Sequence, residues 1–277
     1  MSPPDFSMLR YYRRFYMTPS SLLLALRNPG AAWRLLARAV ANHGPLGEFV
    51  RVTRARFKAY IAEFGQDRAF NDRIWTEIAA LNASLRRRGI KGSSGAMAPD
   101  QCRIMYALVR ALRPSIVVET GVASGVSSCY ILKALEDNGQ GELFSIDLPY
   151  ELPLASSAST APIPEGIPLI PQGAQPGWLA PLELRGRWHL IVGRSSQVLP
   201  DLLAELGQID VFLHDSEHTY ETQKFEYETA WVYLREGGLL LSDDTGVTPA
   251  FSEFAREAQG TSFVYGGRFG ILVKCAG

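Results

Sequence analysis

The sequence has few of the features that mark secreted or membrane-spanning proteins. Its three cysteines, Cys102, Cys129 and Cys275, are odd in number and far apart, so they suggest neither a disulfide framework nor a zinc site. The longest apolar run near the N-terminus, residues 22–26, is far shorter than a membrane span. The arginines before that run are not followed by the apolar core of a signal peptide. We therefore expect a cytoplasmic protein without a transmembrane segment.

Net charge is also absent, because 28 basic and 28 acidic side chains balance. Their distribution is uneven: residues 1–95 hold 16 Lys+Arg and 6 Asp+Glu, whereas residues 96–277 hold 12 and 22. A basic region can bind nucleic acid or anionic lipid, but it can also dock on an acidic neighbouring body. No nucleic-acid motif accompanies it, so we expect docking on protein and no nucleic-acid partner.

Residues 1–92 are predicted to form a helical extension. Apolar residues at helical spacing, with arginines between them, predict four helices; they lie at about residues 20–28, 31–41, 46–64 and 67–88. The glycine- and serine-rich stretch 91–95 predicts a flexible joint before a second domain over residues 93–277. We expect the extension to form a homo-oligomer or to shape a substrate site.

After the joint, strand and helix patterns alternate. Short apolar runs predict five strands and a terminal hairpin; the strands lie at 116–118, 142–147, 188–192, 209–213 and 239–242, and the hairpin at 262–265 and 270–274. Helices are predicted between the strands. This alternation indicates an α/β fold, a Rossmann-like doubly wound sheet of seven mostly parallel strands that ends in an antiparallel hairpin.

The stretch between Ser115 and Ser128 is the predicted ligand cradle. A buried strand ends at Glu119, and Gly121 and Gly125 follow before a helix begins. Glycines let a ligand approach the backbone, and a helix N-terminus offers N–H groups to a carboxylate or phosphate. The pattern has an acid where the dinucleotide fingerprint has its first glycine, and this acid is placed to favour a bound cation. The alternative is a tight turn that binds nothing.

A second acid, Asp147, ends the next predicted strand, 22 residues after Gly125. An acid at this place can bind ribose hydroxyls, although it can also be an ordinary turn or capping residue. Residues 149–181 follow and hold eight of the 17 prolines. That composition excludes a core element and predicts a solvated loop or a lid over the sheet edge. Trp178 within it is either a stacking residue or an anchor for the loop.

Two neighbouring strands end in chemically active residues, His214 to His218 and Asp243-Asp244. The carboxyl ends of parallel strands share one edge, and crowded carboxylates need a cation or protons. We therefore predict a divalent ion, most simply Mg²⁺, at Asp215, Asp243 and Asp244. His218 is placed to accept a proton from an ion-bound hydroxyl as general base. The alternatives are a helix-capping His218, a hydrogen-bonded structural His214 and acids that cap loops without a metal.

These motifs resemble those of class I S-adenosylmethionine (SAM) methyltransferases. The loop from Glu119 to Gly125 is similar to the motif that holds the methionine end of SAM. The Asp-x-x-His and adjacent acids resemble macrolide-sugar O-methyltransferases and their cephalosporin-pathway relatives more than catechol-type O-methyltransferases, in which Asp-Asn ends the fifth strand. Residues 193–200 resemble the catechol-type segment near the adenine. The resemblance covers about residues 95–277.

The resemblance implies a SAM-dependent O-methyltransferase acting on a small hydroxylated molecule, such as a sugar or natural product, with Mg²⁺. It implies SAM contacts at Glu119, Gly121, Ala123, Gly125, Ser127, Asp147, Ser195 and Asp215. The implied metal ligands are Asp215, Asp243 and Asp244, and the implied base is His218. A metal-free methyltransferase and a cephalosporin-hydroxylase-like relative stay open as alternatives.

Overall fold

The computed structural model describes residues 56–57, 59–87, 94–148, 170–171, 173–258 and 260–275. The first two predicted helices, most of the third, and most of the proline-rich stretch lie outside the described residues. The end of the third helix is described as a helical segment over residues 59–64. The fourth predicted helix is α1, Arg68–Arg87.

The remaining elements alternate along the chain. In order they are α2 (Pro99–Leu112), β1 (Ile116–Thr120), α3 (Val126–Asn138), β2 (Glu142–Asp147), a 3₁₀ helix (Leu182–Arg187), β3 (Trp188–Val192), α4 (Ser195–Leu206), β4 (Ile209–His214), α5 (Tyr220–Tyr233), β5 (Leu234–Ser242), α6 (Ala250–Glu257), β6 (Gly260–Tyr265) and β7 (Phe269–Lys274).

The seven strands form one sheet in the order β3-β2-β1-β4-β5-β7-β6. Strands β1 to β5 pair in parallel, and β7 is antiparallel to both β5 and β6. Six strands therefore run in one direction and β7 in the other. The predicted doubly wound α/β fold with a terminal antiparallel hairpin is confirmed.

β5 begins five residues earlier than the sequence pattern predicts. Leu234 pairs with Ile209, and the register then shifts before Leu239 pairs with Val211. At Gly238 a Cβ atom would lie 2.9 Å from the carbonyl oxygen of Asp210. Gly237 and Gly238 therefore lie within an irregular strand, and at Gly238 a side chain would collide with the neighbouring backbone.

Two apolar clusters cover the two faces of the sheet. One joins the inward residues of α2 and α3 to β1, β4 and β5, and it includes Phe64, Ile74 and Ile78 from the helical extension. The other joins α4, α5 and α6 to the opposite face. The described part of the extension is therefore part of the same core as the sheet.

Polar contacts hold the extension to the same face. Tyr106 donates a hydrogen bond of 2.6 Å to Glu63 and one of 2.7 Å to Asp137. Arg110 forms a salt bridge of 3.0 Å with Glu63. Within the predicted joint, the amide of Ser94 donates to Asn82 at 2.7 Å. Among the described helices, none is long and apolar enough to cross a membrane.

Candidate functional site

The candidate site lies where the strand order reverses, at the carboxyl ends of β1 and its neighbours β2 and β4. The chain places β2 and β3 on one side of β1, and β4 and β5 on the other. This change of direction opens a crevice at the carboxyl edge of a doubly wound sheet. The glycine-rich loop follows β1, Asp147 ends β2, and His214 ends β4. The fold thus brings the predicted cradle and the predicted acid–histidine residues to one edge.

Both glycines of the loop are required by the approach of protein backbone. Gly121 has a φ of 83°, and a Cβ atom on it would lie 2.0 Å from the carbonyl oxygen of Asp215. Gly125 has a φ of 86°, and its Cβ would lie 2.6 Å from the Cα of Gly177. The sequence prediction gave ligand approach as the reason for these glycines. The structure adds that any side chain would first displace the loop after β4 or the segment around residue 177.

Glu119 lies beneath the loop and is fully buried. Ser127 donates to one of its carboxylate oxygens, and Ser128 and Ser145 donate to the other at 2.6 and 2.8 Å. Burial raises the pKa of Glu119, while the three hydroxyl donors act in the opposite direction. In this arrangement the buried carboxylate of Glu119 joins the end of β1 to the start of α3 and to β2.

Asp147 holds the same loop from the end of β2. Its Oδ2 accepts hydrogen bonds of 2.7 Å from the amides of both Val122 and Ala123. Burial raises the pKa of Asp147, and these two amides lower it. Among the described residues, none donates a hydrogen bond to Oδ1. One oxygen therefore fixes the loop, and the other accepts no hydrogen bond from the described residues.

Helix α3 starts without a side-chain cap. Its N-cap residue is Gly125, in the left-handed conformation with no side-chain hydrogen bond. The first amides of a helix have no partner within the helix, and the helix dipole favours negative charge at this end. The start of α3, next to Ala123 and Asp147, therefore suits an anionic ligand group.

On the other side of the crevice, a buried glutamate organises the end of β4. Glu226 of α5 is fully buried and bonds His214 Nδ1 at 2.6 Å. Its carboxylate also accepts from Thr120 at 2.5 Å and Ser216 at 2.8 Å. Burial would raise the pKa of Glu226, but His214 and the hydroxyls of Ser195 and Thr120 hold that pKa below its usual value. Glu226 is therefore an ionised anchor for the loop after β4.

His218 has the properties of a proton acceptor. Its Nε2 is buried and has no hydrogen-bond partner among the described residues. Its ring lies edge-on to that of His214, with centroids 5.3 Å apart. Burial, helped by His214, lowers the pKa of His218 to about 4. The imidazole is therefore neutral at neutral pH.

The predicted acids do not all converge. Asp215 and Asp243 are in hydrogen-bonding contact, and burial together with their mutual repulsion raises the pKa of Asp215. Burial, with the Asp244 charge next, raises the pKa of Asp243 to about 6, and Gln101 donates to its carboxylate. Asp244 instead pairs with Arg268 at 2.5 Å. No group of three or more metal-binding side chains forms in the described part of the chain, so the expected three-acid set is not assembled.

The remaining predicted residue, Ser195, is the first residue of α4, at the same edge. Its hydroxyl is one of the groups that lower the pKa of Glu226. Sequence reasoning missed Glu226, although a signal was present. It lies on the buried face of α5 with Gln223, Tyr227 and Ala230, and an acid at an apolar position of a helix needs buried partners.

Residues 118–245 match a family model described as Methyltransferase domain. This part of the chain is therefore similar to methyltransferase domains. The match runs from β1 to the residues just after β5 and includes the glycine-rich loop, Asp147, His218 and both acids after β5. No curated protein matches the sequence.

Solved structures show only a distant likeness. A methyltransferase of Podospora anserina, PaMTH1, bound to S-adenosylhomocysteine (SAH), is 14% identical, with 76% of this chain and 97% of that chain covered and a TM-score of 0.49. The O-methyltransferase TomG of Streptomyces achromogenes, in complex with SAM, is 16% identical, with 72% and 89% covered and a TM-score of 0.48. An O-methyltransferase of Bacillus cereus with SAH is 14% identical, with 72% and 90% covered and a TM-score of 0.46.

Proposed function

We propose that this methyltransferase transfers the methyl group of SAM to a hydroxyl oxygen of a small molecule, with His218 as the general base. The observation that carries the proposal is the unpartnered, neutral imidazole of His218 beside the crevice of the glycine loop. Transfer to an oxygen requires that the hydroxyl lose its proton, and a neutral imidazole is suited to accept it.

The residues around the loop fit SAM. The start of α3 suits the methionine carboxylate, because its first amides are uncapped. Oδ1 of Asp147 suits a ribose hydroxyl, because Oδ2 already holds the loop in place. When bound, SAM supplies a methyl group on a sulfonium sulfur. Glu119 contributes indirectly, through Ser127 and Ser128 at the start of α3.

The protein's chemical task is to orient the acceptor and remove one proton. As the new carbon–oxygen bond forms and the carbon–sulfur bond breaks, the hydroxyl proton passes to Nε2 of His218. The products are the methyl ether, SAH and an imidazolium. Burial and His214 lower the pKa of His218, the Asp244 carboxylate raises it, and Arg268, which pairs with Asp244, lowers it.

A second candidate is the same reaction assisted by Mg²⁺. The supporting observation is the contact between Asp215 and Asp243, because Mg²⁺ often takes one or two carboxylates and completes its shell with water and substrate. Asp244 is left out of this pair, since Arg268 neutralises it. We predict that Mg²⁺ raises the melting temperature of the wild type and that Asp243→Asn abolishes the increase. An equal increase in both proteins would assign the ion elsewhere, and turnover that survives EDTA would leave the metal-free reaction.

The decisive experiment is an activity screen with methyl-labelled SAM against hydroxylated sugars and natural products, with and without Mg²⁺. The account predicts a product that gains one methyl group. A product that gains a single oxygen atom would favour the hydroxylase-like relative, and labelling of nitrogen or carbon would contradict the O-methyl assignment. Absence of labelling across the panel, together with no binding of SAH, would contradict the proposed function.

We also propose that residues 1–92 serve assembly of a cytoplasmic homo-oligomer. The basic charge of this part against the acidic remainder supports the proposal. Because Phe64, Ile74 and Ile78 belong to the core cluster, the matching test removes residues 1–55 only. Light scattering should show a smaller assembly for that variant, and an unchanged mass would contradict the role.

A further inference from the structure

The segment before the 3₁₀ helix packs on the glycine-rich loop. The amide of Gly177 donates to the carbonyl of Ala123 at 2.9 Å, and the amide of Leu179 donates to the carbonyl of Ser124 at 3.2 Å. Gly177 also lies against Gly125, where a Cβ on the latter would be 2.6 Å from its Cα. The end of the proline-rich stretch and the loop are thus joined through backbone contacts.

Trp188, the first residue of β3, lies on the other side of Gly177. A Cβ atom on Gly177 would be 2.1 Å from Cη2 of the indole ring. The same indole donates from Nε1 to Ser145 at 2.9 Å, and Ser145 donates to Glu119 at 2.8 Å. Trp188 is therefore connected to the loop in two ways. Its ring packs on Gly177, which bonds the loop, and its Nε1 bonds Ser145, which bonds Glu119.

We propose that Trp188 is a positioning residue for the SAM-binding loop, which it holds in its binding geometry through Gly177 and Ser145. The proposal rests on the proposed function, in which this loop binds SAM. The loop needs such support because Gly121, Ala123 and Gly125 all have positive φ values, of 83°, 45° and 86°. For Ala123 this conformation is strained, and strained backbone persists only where its surroundings hold it. A loop fixed before binding loses less freedom when the ligand arrives.

A pair of glycine variants separates this contact from backbone strain. Gly177 and Gly173 both have positive φ, 70° and 79°, but no atom of the described residues lies within 4 Å of a Cβ on Gly173. Gly177→Ala should weaken SAH binding about 10- to 100-fold, because the new Cβ displaces the segment from the indole. Gly173→Ala carries the same strain in open space and should bind SAH within about twofold of wild type.

Tryptophan variants test the second route. Trp188→Phe removes both the Nε1 donor and the far ring atoms, and it should weaken SAH binding about three- to tenfold. In the double variant Gly177→Ala/Trp188→Phe the smaller ring leaves room for the new Cβ, so binding should recover relative to Gly177→Ala alone. Trp231→Phe, in α5 against Phe254, is the matched control and should leave affinity unchanged.

The measurements are SAH calorimetry, melting temperature and amide hydrogen exchange over residues 121–128. The proposal predicts that the Michaelis constant for SAM rises more than kcat falls, and that exchange in the ligand-free loop is faster in Gly177→Ala and Trp188→Phe. Unchanged SAH affinity and unchanged exchange in both single variants would overturn the proposal. Losses of SAH affinity that merely parallel losses of melting temperature would also overturn it. So would a double variant that binds SAH no better than Gly177→Ala. If wild type does not bind SAH, the proposed function fails, and with it the positioning of a SAM loop; faster exchange in the variants would then show a structural brace only.

Discussion

The two sides of the crevice differ in how their polar groups are satisfied. On the β1–β2 side, both oxygens of Glu119 accept hydroxyl hydrogen bonds, and Asp147 accepts two backbone amides. On the β4–β5 side, Nε2 of His214, Nε2 of His218 and Nε2 of Gln223 are buried without a partner among the described residues.

This difference suggests that one side of the crevice binds the cofactor and the other side takes part in proton transfer. The hydroxyl network around Glu119 satisfies both of its oxygens, and a satisfied buried network is rigid and specifies one geometry, which is what a cofactor loop needs. On that side Trp178 Nε1 is buried without a partner among the described residues. Unpaired buried groups and shifted pKa values concentrate at places where protons move. On this comparison we propose that the β1–β2 side binds SAM and that the β4–β5 side orients the acceptor and takes its proton.

Among the tests of this comparison, we expect the largest effect on turnover from substitution of His218. His218→Ala removes the proposed proton acceptor and should lower turnover about 10²- to 10⁴-fold. His189, half-exposed on β3 and paired with Glu142, provides the control, and His189→Ala should keep full turnover. Labelled-SAM turnover on an acceptor from the screen is the measurement. Full turnover in His218→Ala would move the base elsewhere and leave His218 as a residue at the start of α5.

A smaller effect, on stability, should come from Asp243. Burial raises its folded pKa to about 6 from an ordinary value of 3.8. Between these values the folded protein binds the proton more tightly than the unfolded chain, so stability falls as the pH rises through this window. Asp243→Asn removes that loss and should stabilise the protein by about 1–3 kcal/mol at pH 8 but not below about pH 4.

Denaturant unfolding in EDTA at the two pH values measures this difference. Asp201→Asn, an exposed acid on α4, is the control and should show no pH-dependent gain. If Asp243→Asn changed the stability equally at both pH values, the pKa of Asp243 would not be raised by burial. That result would count against the contrast between the two sides of the crevice.

The sequence was sufficient to predict the sheet and the positions of its strand ends, because short apolar runs and glycine turns are local signals. Three strands that bear on the site, β2, β3 and β4, lie within one residue of their predicted bounds. The start of β5 was missed because its first pair, Leu234 with Ile209, depends on a register shift that only tertiary pairing creates.

The partners within the site were less predictable, because they depend on distant parts of the chain. The pairing of Asp244 with Arg268 in the β6–β7 turn removed one acid from the expected set of three. The contact of Gly177 with Trp188 depends on how the proline-rich stretch returns to the sheet. Residue types and strand ends locate a site along a chain, but contacts between remote segments decide which groups are paired.

The central claim is that the two sides of the crevice have separate tasks, and SAH calorimetry on two variants tests it most directly. Asp147→Ala removes the carboxylate that accepts hydrogen bonds from two loop amides. Because both of these charged hydrogen bonds are lost, the variant should bind SAH about 10- to 100-fold more weakly. His218→Ala should bind SAH within about twofold of wild type, because losing a general base leaves ligand binding nearly intact. Equal SAH affinity in Asp147→Ala and wild type, or a comparable loss in both variants, would contradict the account.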